Sequence, residues 1–421
     1  MDTQKNYLHL HNWWILVLAF PPVLAPIASG APAPDTEDDY FYGEIEIIED
    51  FNPLDSDSLL ESSIAPTNYF EWKEGFTRRT GLNYLIEYAA IGQWGSRGMD
   101  RFHADHELNV IGMWDLVDNP ETGKGMLMWW YQNSVTLGGT TTTELQNSLG
   151  ALSPVSGGDT FPDQSANRLQ LLAWEQKTPD EKSRIVAGKL TTRVIMNLNR
   201  YAVSDREDFF SPMIVNNPVA SYTARLGLGV FGEHKTEDFY ISGLFRDADA
   251  VDDFIDFDSP GSGNWEYAGE FGLTPEIDGL GTGVYRAMLY YSDAIQRGAS
   301  ILNSGWTYAL SFDQDVGETL GLFARFSHAE NPTRAFSQRA AFGTQIKDPF
   351  GHEDDRIGLG AWWGDPTDRS LRDETGIDLF WKLRVAKNVE FTPGVTLLID
   401  PALRPTSDTA WVGSLRLRME F

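Results

Sequence analysis

Residues 411–421 read WVGSLRLRMEF and contain the clearest structural signal of the chain. The odd positions hold Trp411, Gly413, Leu415, Leu417, Met419 and Phe421, and the even positions hold Val412, Ser414, Arg416, Arg418 and Glu420. Because successive side chains of a strand point to opposite faces, this pattern predicts a β-strand with one apolar and one charged face. Such a strand suits a sandwich with one face in water, or a barrel with lipid outside and a wet lumen inside.

The same two-residue period occurs in pairs of segments further upstream. Residues 377–385 and 389–399 alternate around a short turn, and residues 306–313 and 320–327 alternate around a polar turn. We expect the next strand, at residues 357–363, to follow a long loop of residues 329–355. Short turns at one end and long loops at the other are typical of outer-membrane barrels.

Further segments of about ten residues fit the same template. They start near Leu82, His106, Gly125, Arg168, Arg184, Tyr222, Asp238, Trp265, Tyr285 and Gly305. With the C-terminal segments the total is roughly fifteen, and an even-numbered barrel closes most naturally near sixteen strands. The sequence therefore predicts an all-β fold at residues 76–421, a transmembrane antiparallel β-barrel with short periplasmic turns and long extracellular loops.

The composition of the 421 residues is compatible with this prediction. Aromatic residues make up 13% and there are 39 Gly, which suits strands and tight turns. There is no cysteine, which favours an exported protein and removes disulfides and zinc–thiolate sites. The net charge of −28 argues against nucleic acid as a partner, and it fits either acidic loops or a general role in solubility.

The N-terminal segment has the features of an export signal. Residues 12–28, NWWILVLAFPPVLAPIA, form an apolar run that follows Lys5 and precedes small residues. The prolines within this run would disrupt a spanning helix, although a retained membrane anchor is the alternative. We expect a signal peptide at residues 1–30, followed by an acidic periplasmic extension at residues 31–75.

Residues 188–218, GKLTTRVIMNLNRYAVSDREDFFSPMIVNNP, resemble a block of the OprB-type carbohydrate-selective outer-membrane porins. In that block a Gly-Lys-Leu strand leads to Asp-Phe-Phe and to a loop that contains Asn-Pro. The matching positions are Gly188, Lys189, Leu190, Asp208, Phe209, Phe210, Asn217 and Pro218. Residues 374–401 are similar to the penultimate hairpin of the family, and LRLRMEF is similar to its last strand. The chain departs from the pattern at Thr191 and Thr192, where the family usually has Asp, and by an insertion before Asp208.

The resemblance implies a barrel in the outer membrane of a Gram-negative cell, narrowed by inward loops and permeable to mono- and oligosaccharides. A sugar channel needs no nucleophile, so we expect no cofactor and no catalytic residue, and predict that the chain is not an enzyme. The expected partners are permeating sugars, outer-membrane lipid and the barrel-assembly machinery, for which Phe421 would be the assembly signal. The protein would be a monomer or a trimer.

A sugar channel needs polar side chains that exchange hydrogen bonds with hydroxyl groups, and aromatic faces for the apolar side of a ring. Residues 191–208 supply Arg, Asn and acidic side chains, and folded inward they would form a polar constriction. The candidates are Arg193, Asn197, Arg200, Arg206, Glu207 and Asp208, together with Trp362. The alternative is that this segment is a solvated extracellular loop.

Two groups of side chains resemble metal sites but have simpler explanations. His103, Asp105 and Glu107 alternate on one strand face, yet no distant third-ligand motif accompanies them, so a wet barrel wall explains them better. Six Asp within residues 247–258 lack the central Gly and terminal Glu of an EF-hand, which predicts an acidic surface loop rather than a calcium site. We therefore expect no metal.

Two other functions fit parts of the pattern. Within the barrel class, the alternative is a general or anion-selective porin. In another class, a secreted all-β sugar-binding protein or glycoside hydrolase, built as a sandwich or propeller, would also be rich in strands and carboxylates. The alternating last strand that ends in Phe421 favours the barrel.

Removal of the signal segment can be tested on protein extracted from the outer membrane. Because the apolar run ends before small residues, we expect the mature chain to lack its first ~29 residues. Mass spectrometry of the intact protein measures this directly. An unprocessed N-terminus would show that the segment is a retained anchor instead.

Overall fold

The computed structural model describes residues 58–66, 68–98, 101–155, 166–204, 206–215, 227–250, 254–297, 300–330, 335–352 and 354–421. The expected signal peptide and most of the expected periplasmic extension lie outside these residues. Within the described ranges, no helix is both long and apolar enough to cross a membrane.

Sixteen antiparallel strands of the described chain form one continuous sheet. Their bounds are β1 (Leu82–Gly95), β2 (Phe102–Asn119), β3 (Gly123–Thr136), β4 (Ala166–Lys177), β5 (Ser183–Leu190), β6 (Gly227–Lys235), β7 (Phe239–Asp247), β8 (Trp265–Leu273), β9 (Gly281–Ser292), β10 (Gly305–Val316), β11 (Leu320–Ala329), β12 (Phe336–Lys347), β13 (Arg356–Pro366), β14 (Glu374–Ala386), β15 (Val389–Ile399) and β16 (Thr409–Glu420).

Helices and short strands lie before the first strand or in the connections. The helices are α1 (Tyr69–Thr80), α2 (Thr142–Leu149) and α3 (Pro212–Val215), with single 3₁₀ turns at Thr192–Val194, Ser259–Ser262 and Pro349–Gly351. The short strands are Glu276–Ile277, Ile295–Arg297 and Ser300–Leu302. The boundary predicted between residues 75 and 76 falls inside α1.

The sheet closes on itself because β1 pairs with β2 on one edge and with β16 on the other. In the closing pair Glu87 lies opposite Glu420, and Ile86 and Phe421 exchange two backbone hydrogen bonds of 2.9 and 2.8 Å. Each of the sixteen strands therefore has two neighbours, which removes the unpaired edges that a bilayer does not tolerate. The predicted all-β barrel of about sixteen strands is confirmed.

Side chains alternate between the outside and the inside of the barrel. In β16 the odd-numbered Trp411, Leu415 and Leu417 are 36–49% exposed, whereas the even-numbered Ser414 and Arg416 are at most 3% exposed. An apolar outside combined with a polar inside is the arrangement of a transmembrane barrel. The sandwich and propeller alternatives are therefore wrong.

The two ends of the barrel differ in their connections. Residues 317–319 join β10 to β11 and residues 387–388 join β14 to β15, whereas residues 137–165 join β3 to β4 and residues 191–226 join β5 to β6. We call these the short-turn end and the long-loop end. In outer-membrane barrels the short turns face the periplasm and the long loops face the exterior.

Strand β12 corrects one expectation from the sequence. Residues 329–355 were expected to form one long loop, but they contain Phe336–Lys347, which pairs with β11 and β13. The pattern is hidden because Ala340 and Ala341 place equally small side chains on the two faces. A register shift between Phe336 and Gln338 also breaks the two-residue period.

Because β16 crosses the bilayer, a charged residue introduced on its lipid-facing side should destabilise the protein by an amount that depends on its depth in the membrane. Leu415 lies in the middle of the strand and Thr409 is its first residue, and both are exposed on the outside. We expect Leu415→Arg to lower the free energy of unfolding by about 2–4 kcal/mol, and Thr409→Arg by about 0–1 kcal/mol, since a lipid-facing charge costs most at the midplane. Urea titration in lipid vesicles measures both values. Equal losses at the two positions would contradict this placement.

Candidate functional site

Residues 191–215 follow β5, and we call them the lumen loop. Its described residues, 191–204 and 206–215, leave the barrel wall and fold inward. Backbone and side-chain atoms of this loop contact inward-facing residues of β1, β2, β8, β10, β11, β12, β14 and β16. These contacts hold the described part of the segment against the inner wall, and a polar constriction formed by it stays a prediction. The loop contains α3 and a single 3₁₀ turn, so most of its backbone groups need partners from the wall.

One guanidinium on β11 binds three separate parts of the lumen loop. Arg325 Nη1 donates to the carbonyl oxygens of Ala202, Ile214 and Val215 at 3.1, 3.1 and 2.7 Å. Its Nη2 donates to the carbonyl oxygen of Asn197 at 2.8 Å. Since Arg325 is buried, these bonds replace those that the guanidinium would make with water. Arg325 therefore holds three separate points of the loop to the wall.

Three other strands hold the loop through complementary polar contacts. Asp378 on β14 accepts a hydrogen bond of 2.6 Å from the backbone amide of Ser211. Arg416 on β16 donates to the carbonyl oxygen of Asp208 at 3.0 Å, and Gln345 on β12 donates to the Asp208 carboxylate at 2.8 Å. Hydrogen bonds to charged groups are stronger than neutral ones, so these contacts define the position of the loop.

Apolar contacts bring the loop close to the wall. Phe209 is fully buried, and its ring lies edge-on to the ring of Phe380 on β14 at 4.9 Å. A Cβ atom on Gly394 of β15 would lie 2.2 Å from the ring of Phe210. Glycine at this position thus leaves the space that the ring of Phe210 occupies.

A mixed-charge group forms where the lumen loop meets β10 and β12. Arg200 Nε lies 2.5 Å from Asp313 Oδ1, and its Nη1 lies 2.9 Å from Asp315 Oδ2. Lys347 Nζ lies 2.9 Å from Asp315 Oδ1, and the Tyr201 hydroxyl donates to the same carboxylate. The side chains of Arg200, Asp315 and Lys347 remain 21%, 15% and 23% exposed. We call these five residues the Arg200 cluster.

A second ionic group joins the tip of the loop to β1, β2 and β16. Arg206 lies 3.0 Å from Glu87 and 2.8 Å from Glu107, measured between side-chain nitrogen and oxygen atoms. Arg418 lies 2.7 Å from Glu87 and 3.1 Å from Glu207. Burial raises the pKa of the Glu207 carboxyl to about 7, although Arg418 opposes the shift. A buried charged side chain without a partner of opposite charge would strongly destabilise the fold, and these ion pairs supply that partner.

The predicted constriction residues occupy two kinds of position. Arg200 belongs to the partly exposed cluster, whereas Asn197, Arg206 and Asp208 are buried by the contacts between loop and wall. Trp362 faces inward from β13 and is buried as well, packed over Gly376. Glu207 is partly exposed, and the side chain of Arg193 lies outside the described part of the chain. Contact of these residues with a solute stays a prediction.

Sequence reasoning did not identify the wall residues that hold the loop. Arg325, Gln345 and Asp378 belong to the inward series of their strands, where any wet barrel has polar side chains. Their spacing therefore carries no signal of a loop partner. Alternation did place Arg325 on the polar face of its strand, but proximity to the loop follows only from barrel closure.

A second inward connection was also missed. α2, in the β3–β4 connection, begins with a capping box formed by Thr141 and Glu144, a signal that is readable in the sequence. The following amides of Leu152 and Ser153 both donate to the buried carboxylate of Glu374 on β14, each at 2.9 Å. This connection is therefore held against the inner wall at the long-loop end.

The two groups that resembled metal sites have other partners. His103 Nε2 lies 3.2 Å from Asp105 Oδ2, and His103 Nδ1 lies 2.9 Å from the carbonyl oxygen of Thr140. In the acidic segment, Asp249 accepts a hydrogen bond from the Asn264 side chain at 2.6 Å. Across the described ranges, no group of three or more His, Asp or Glu side chains is arranged to hold a metal ion.

Residues 133–421, which include the lumen loop, match the carbohydrate-selective porin family OprB. The chain belongs to this family. It is therefore an outer-membrane β-barrel and a porin, as the sequence predicted.

Relatives with the name Porin AaxA cover much of the chain. The protein of Chlamydia felis is 25% identical over 316 residues, which are 72% of this chain and 68% of the relative. The protein of Chlamydia pneumoniae is 22% identical over 396 residues, which are 84% of this chain and 85% of the relative.

The barrel is also similar to solved structures of Pseudomonas putida OprB. The high-pH structure has a TM-score of 0.67 at 15% identity, over 87% of this chain and 99% of that chain. The low-pH structure has a TM-score of 0.54 at 13% identity, over 86% and 99%. At these identities the similarity shows the shared fold.

Replacement of Arg325 by Met should loosen the lumen loop. We expect a loss of about 1–3 kcal/mol in the free energy of unfolding, because buried carbonyl groups lose their donor. We also expect a larger single-channel conductance and faster proteolysis within residues 191–215. Planar-bilayer recording and limited proteolysis measure these effects. Arg369→Met is the control, since Arg369 is 68% exposed in the β13–β14 connection; identical behaviour of the two variants would contradict the role of Arg325.

Proposed function

We propose that this porin lets neutral carbohydrates, both mono- and oligosaccharides, diffuse through its lumen past the Arg200 cluster. The observation that carries the proposal is the partial exposure of Arg200 in the lumen loop and of Asp315 and Lys347 on the wall next to it. Sugar hydroxyl groups both donate and accept hydrogen bonds, and this cluster offers donors and acceptors within a few ångströms of each other. Membership of a carbohydrate-selective family supports the same substrate class.

The charges of the cluster favour a neutral solute. Arg200 and Lys347 carry two positive charges, and Asp313 and Asp315 carry two negative charges, each within ion-pair distance of a partner. Because these charges compensate one another, an ion gains little from them, whereas a polyol exchanges hydrogen bonds with both signs. The planar fork of Arg200 suits adjacent hydroxyl groups better than a Lys would.

A weakly anion-selective porin is the second candidate, and one contact favours it. Arg286 on β9 lies 2.6 Å from Asp313, which adds a third positive charge next to the cluster. Arg286 is buried, so its charge acts on the lumen from within the wall. The sign of the reversal potential in a salt gradient distinguishes this candidate from a channel without ion preference.

The remaining partners follow from the surface of the barrel. We infer that the outward apolar face contacts outer-membrane lipid and that Phe421 is the signal for the barrel-assembly machinery. The position of Phe421 supports this role, because its backbone pairs with Ile86 at the seam that closes the barrel. The absence of a catalytic role and the choice between monomer and trimer stay predictions.

Block of the ion current by sugars tests the proposal. We expect glucose- and maltose-sized sugars to reduce the current through the open channel. Arg200→Ala should weaken this block about two- to tenfold, as expected for the loss of one hydrogen bond, and should raise the conductance. We expect a weaker block with Arg206→Ala too, since it releases the loop from Glu87 and Glu107.

The control for this experiment is Arg372→Ala. Arg372 pairs with Asp400 at 3.0 Å and is 28% exposed, which is similar to Arg200, but it lies in the β13–β14 connection. Its replacement should leave the sugar block unchanged. A current that no sugar reduces, in the wild type and in all three variants, would overturn the carbohydrate preference and leave a general porin.

A further inference from the structure

Helix α1 lies at the short-turn end, against the outward side of β1 and β2. The Thr77 hydroxyl donates to the carbonyl oxygen of Leu82 at 3.0 Å, and the Trp114 indole donates to the carbonyl oxygen of Thr80 at 3.0 Å. Trp114 is 40% exposed on the outside of β2, while its neighbour Met113 is buried on the inside. The C-terminal half of α1 is therefore positioned beside the lipid-facing surface.

A row of four aromatic rings runs along α1 onto this surface. Trp72 stacks on Phe76 with ring centroids 5.5 Å apart, and Tyr69 lies 6.2 Å from Trp72. Phe76 contacts Tyr84 of β1 edge-on at 6.5 Å. Trp72 is 51% exposed although it is large and apolar. This aromatic row is continuous with the outward face of the barrel, where Tyr84 precedes the inward Leu85.

Two basic residues follow the aromatic row. Arg78 and Arg79 lie in the last turn of α1, and both are exposed. Arg78 is also 3.8 Å from Glu74 on the same helix, at high exposure of both side chains, where water weakens the pair. Lys73 is buried, so the exposed charges of the helix are the two Arg and the carboxylates of Glu71 and Glu74, which cancel, in a chain whose net charge is −28.

We propose that α1 is an interfacial helix that binds anionic phospholipid of the periplasmic leaflet. The aromatic row lies at the headgroup–acyl boundary, and Arg78 and Arg79 pair with lipid phosphate. Aromatic side chains concentrate at this boundary in membrane proteins, and basic side chains next to it attract anionic lipids. The short-turn end of the barrel, where α1 lies, is the end that meets the periplasmic leaflet.

The absence of cysteine permits a direct test with one fluorescent label. Gly75 lies on α1 between the rings, and a Cβ at Gly75 meets no atom within 4 Å, so Gly75→Cys leaves the row intact. The labelled protein is reconstituted into vesicles of phosphatidylcholine, with or without phosphatidylglycerol, whose acyl chains carry bromine as a quencher. Glu237→Cys, on the exposed β6–β7 turn at the same end, is the control position.

We expect bromolipid to quench the label at residue 75 several-fold more than the label at residue 237, and phosphatidylglycerol to increase this difference. Arg78→Gln together with Arg79→Gln should abolish that increase, whereas Lys124→Gln with Lys182→Gln, the same charge change at the start of β3 and in the β4–β5 turn, should not. Trp72→Ala should reduce quenching in both lipids. Heat-modifiable migration on detergent gels verifies that every variant is folded.

Two results would overturn the proposal. Equal quenching at residues 75 and 237 would show that α1 does not lie in the lipid boundary. Shielding of the label that rises with the protein-to-lipid ratio, with self-quenching between labels, would assign the aromatic row to contact with a second copy of the chain instead. The experiment does not depend on which solute the lumen passes.

Discussion

A backbone amide in the hydrocarbon of a membrane finds no water to bind, and this constraint governs the whole molecule. The pairing of β1 with β16 satisfies it, because it gives each of the sixteen barrel strands a neighbour on both edges. Closure also gives the sheet an inside and an outside. Along each strand, apolar side chains that face lipid must therefore alternate with polar side chains that face the lumen. The barrel has a lumen only because the sheet closes at the seam where Ile86 and Phe421 pair.

Inside the barrel the same requirement applies to the lumen loop, which has little secondary structure of its own. Its carbonyl groups bind the guanidinium of Arg325, and an amide of the loop binds the carboxylate of Asp378. The polar inner wall therefore does more than keep the lumen wet. It supplies the hydrogen-bonding groups that an irregular chain segment needs in order to be buried.

The charged residues of the lumen divide into two classes by exposure. Arg206 and Arg418 are buried among carboxylates, and their role is to hold the loop tip to the wall. Arg200 and Lys347 keep part of their surface open while they remain paired. A group that is both positioned by an ion pair and accessible to solvent is preorganised for a passing solute, which is why the proposed function rests on this cluster rather than on the buried one.

The sequence by itself determined the barrel and its inward and outward faces. Two-residue periodicity is a local property, so the alternation of residues 411–421 is visible without any partner strand, whereas β12 was missed where small side chains such as Ala340 and Ala341 erase that contrast. Only the tertiary structure decided which side chains meet inside. Arg325 and Asn197 are more than a hundred positions apart, and their contact depends on the closure of sixteen strands around the loop. The positions of these two residues in the sequence do not predict their contact, because it arises from the curvature of the closed sheet.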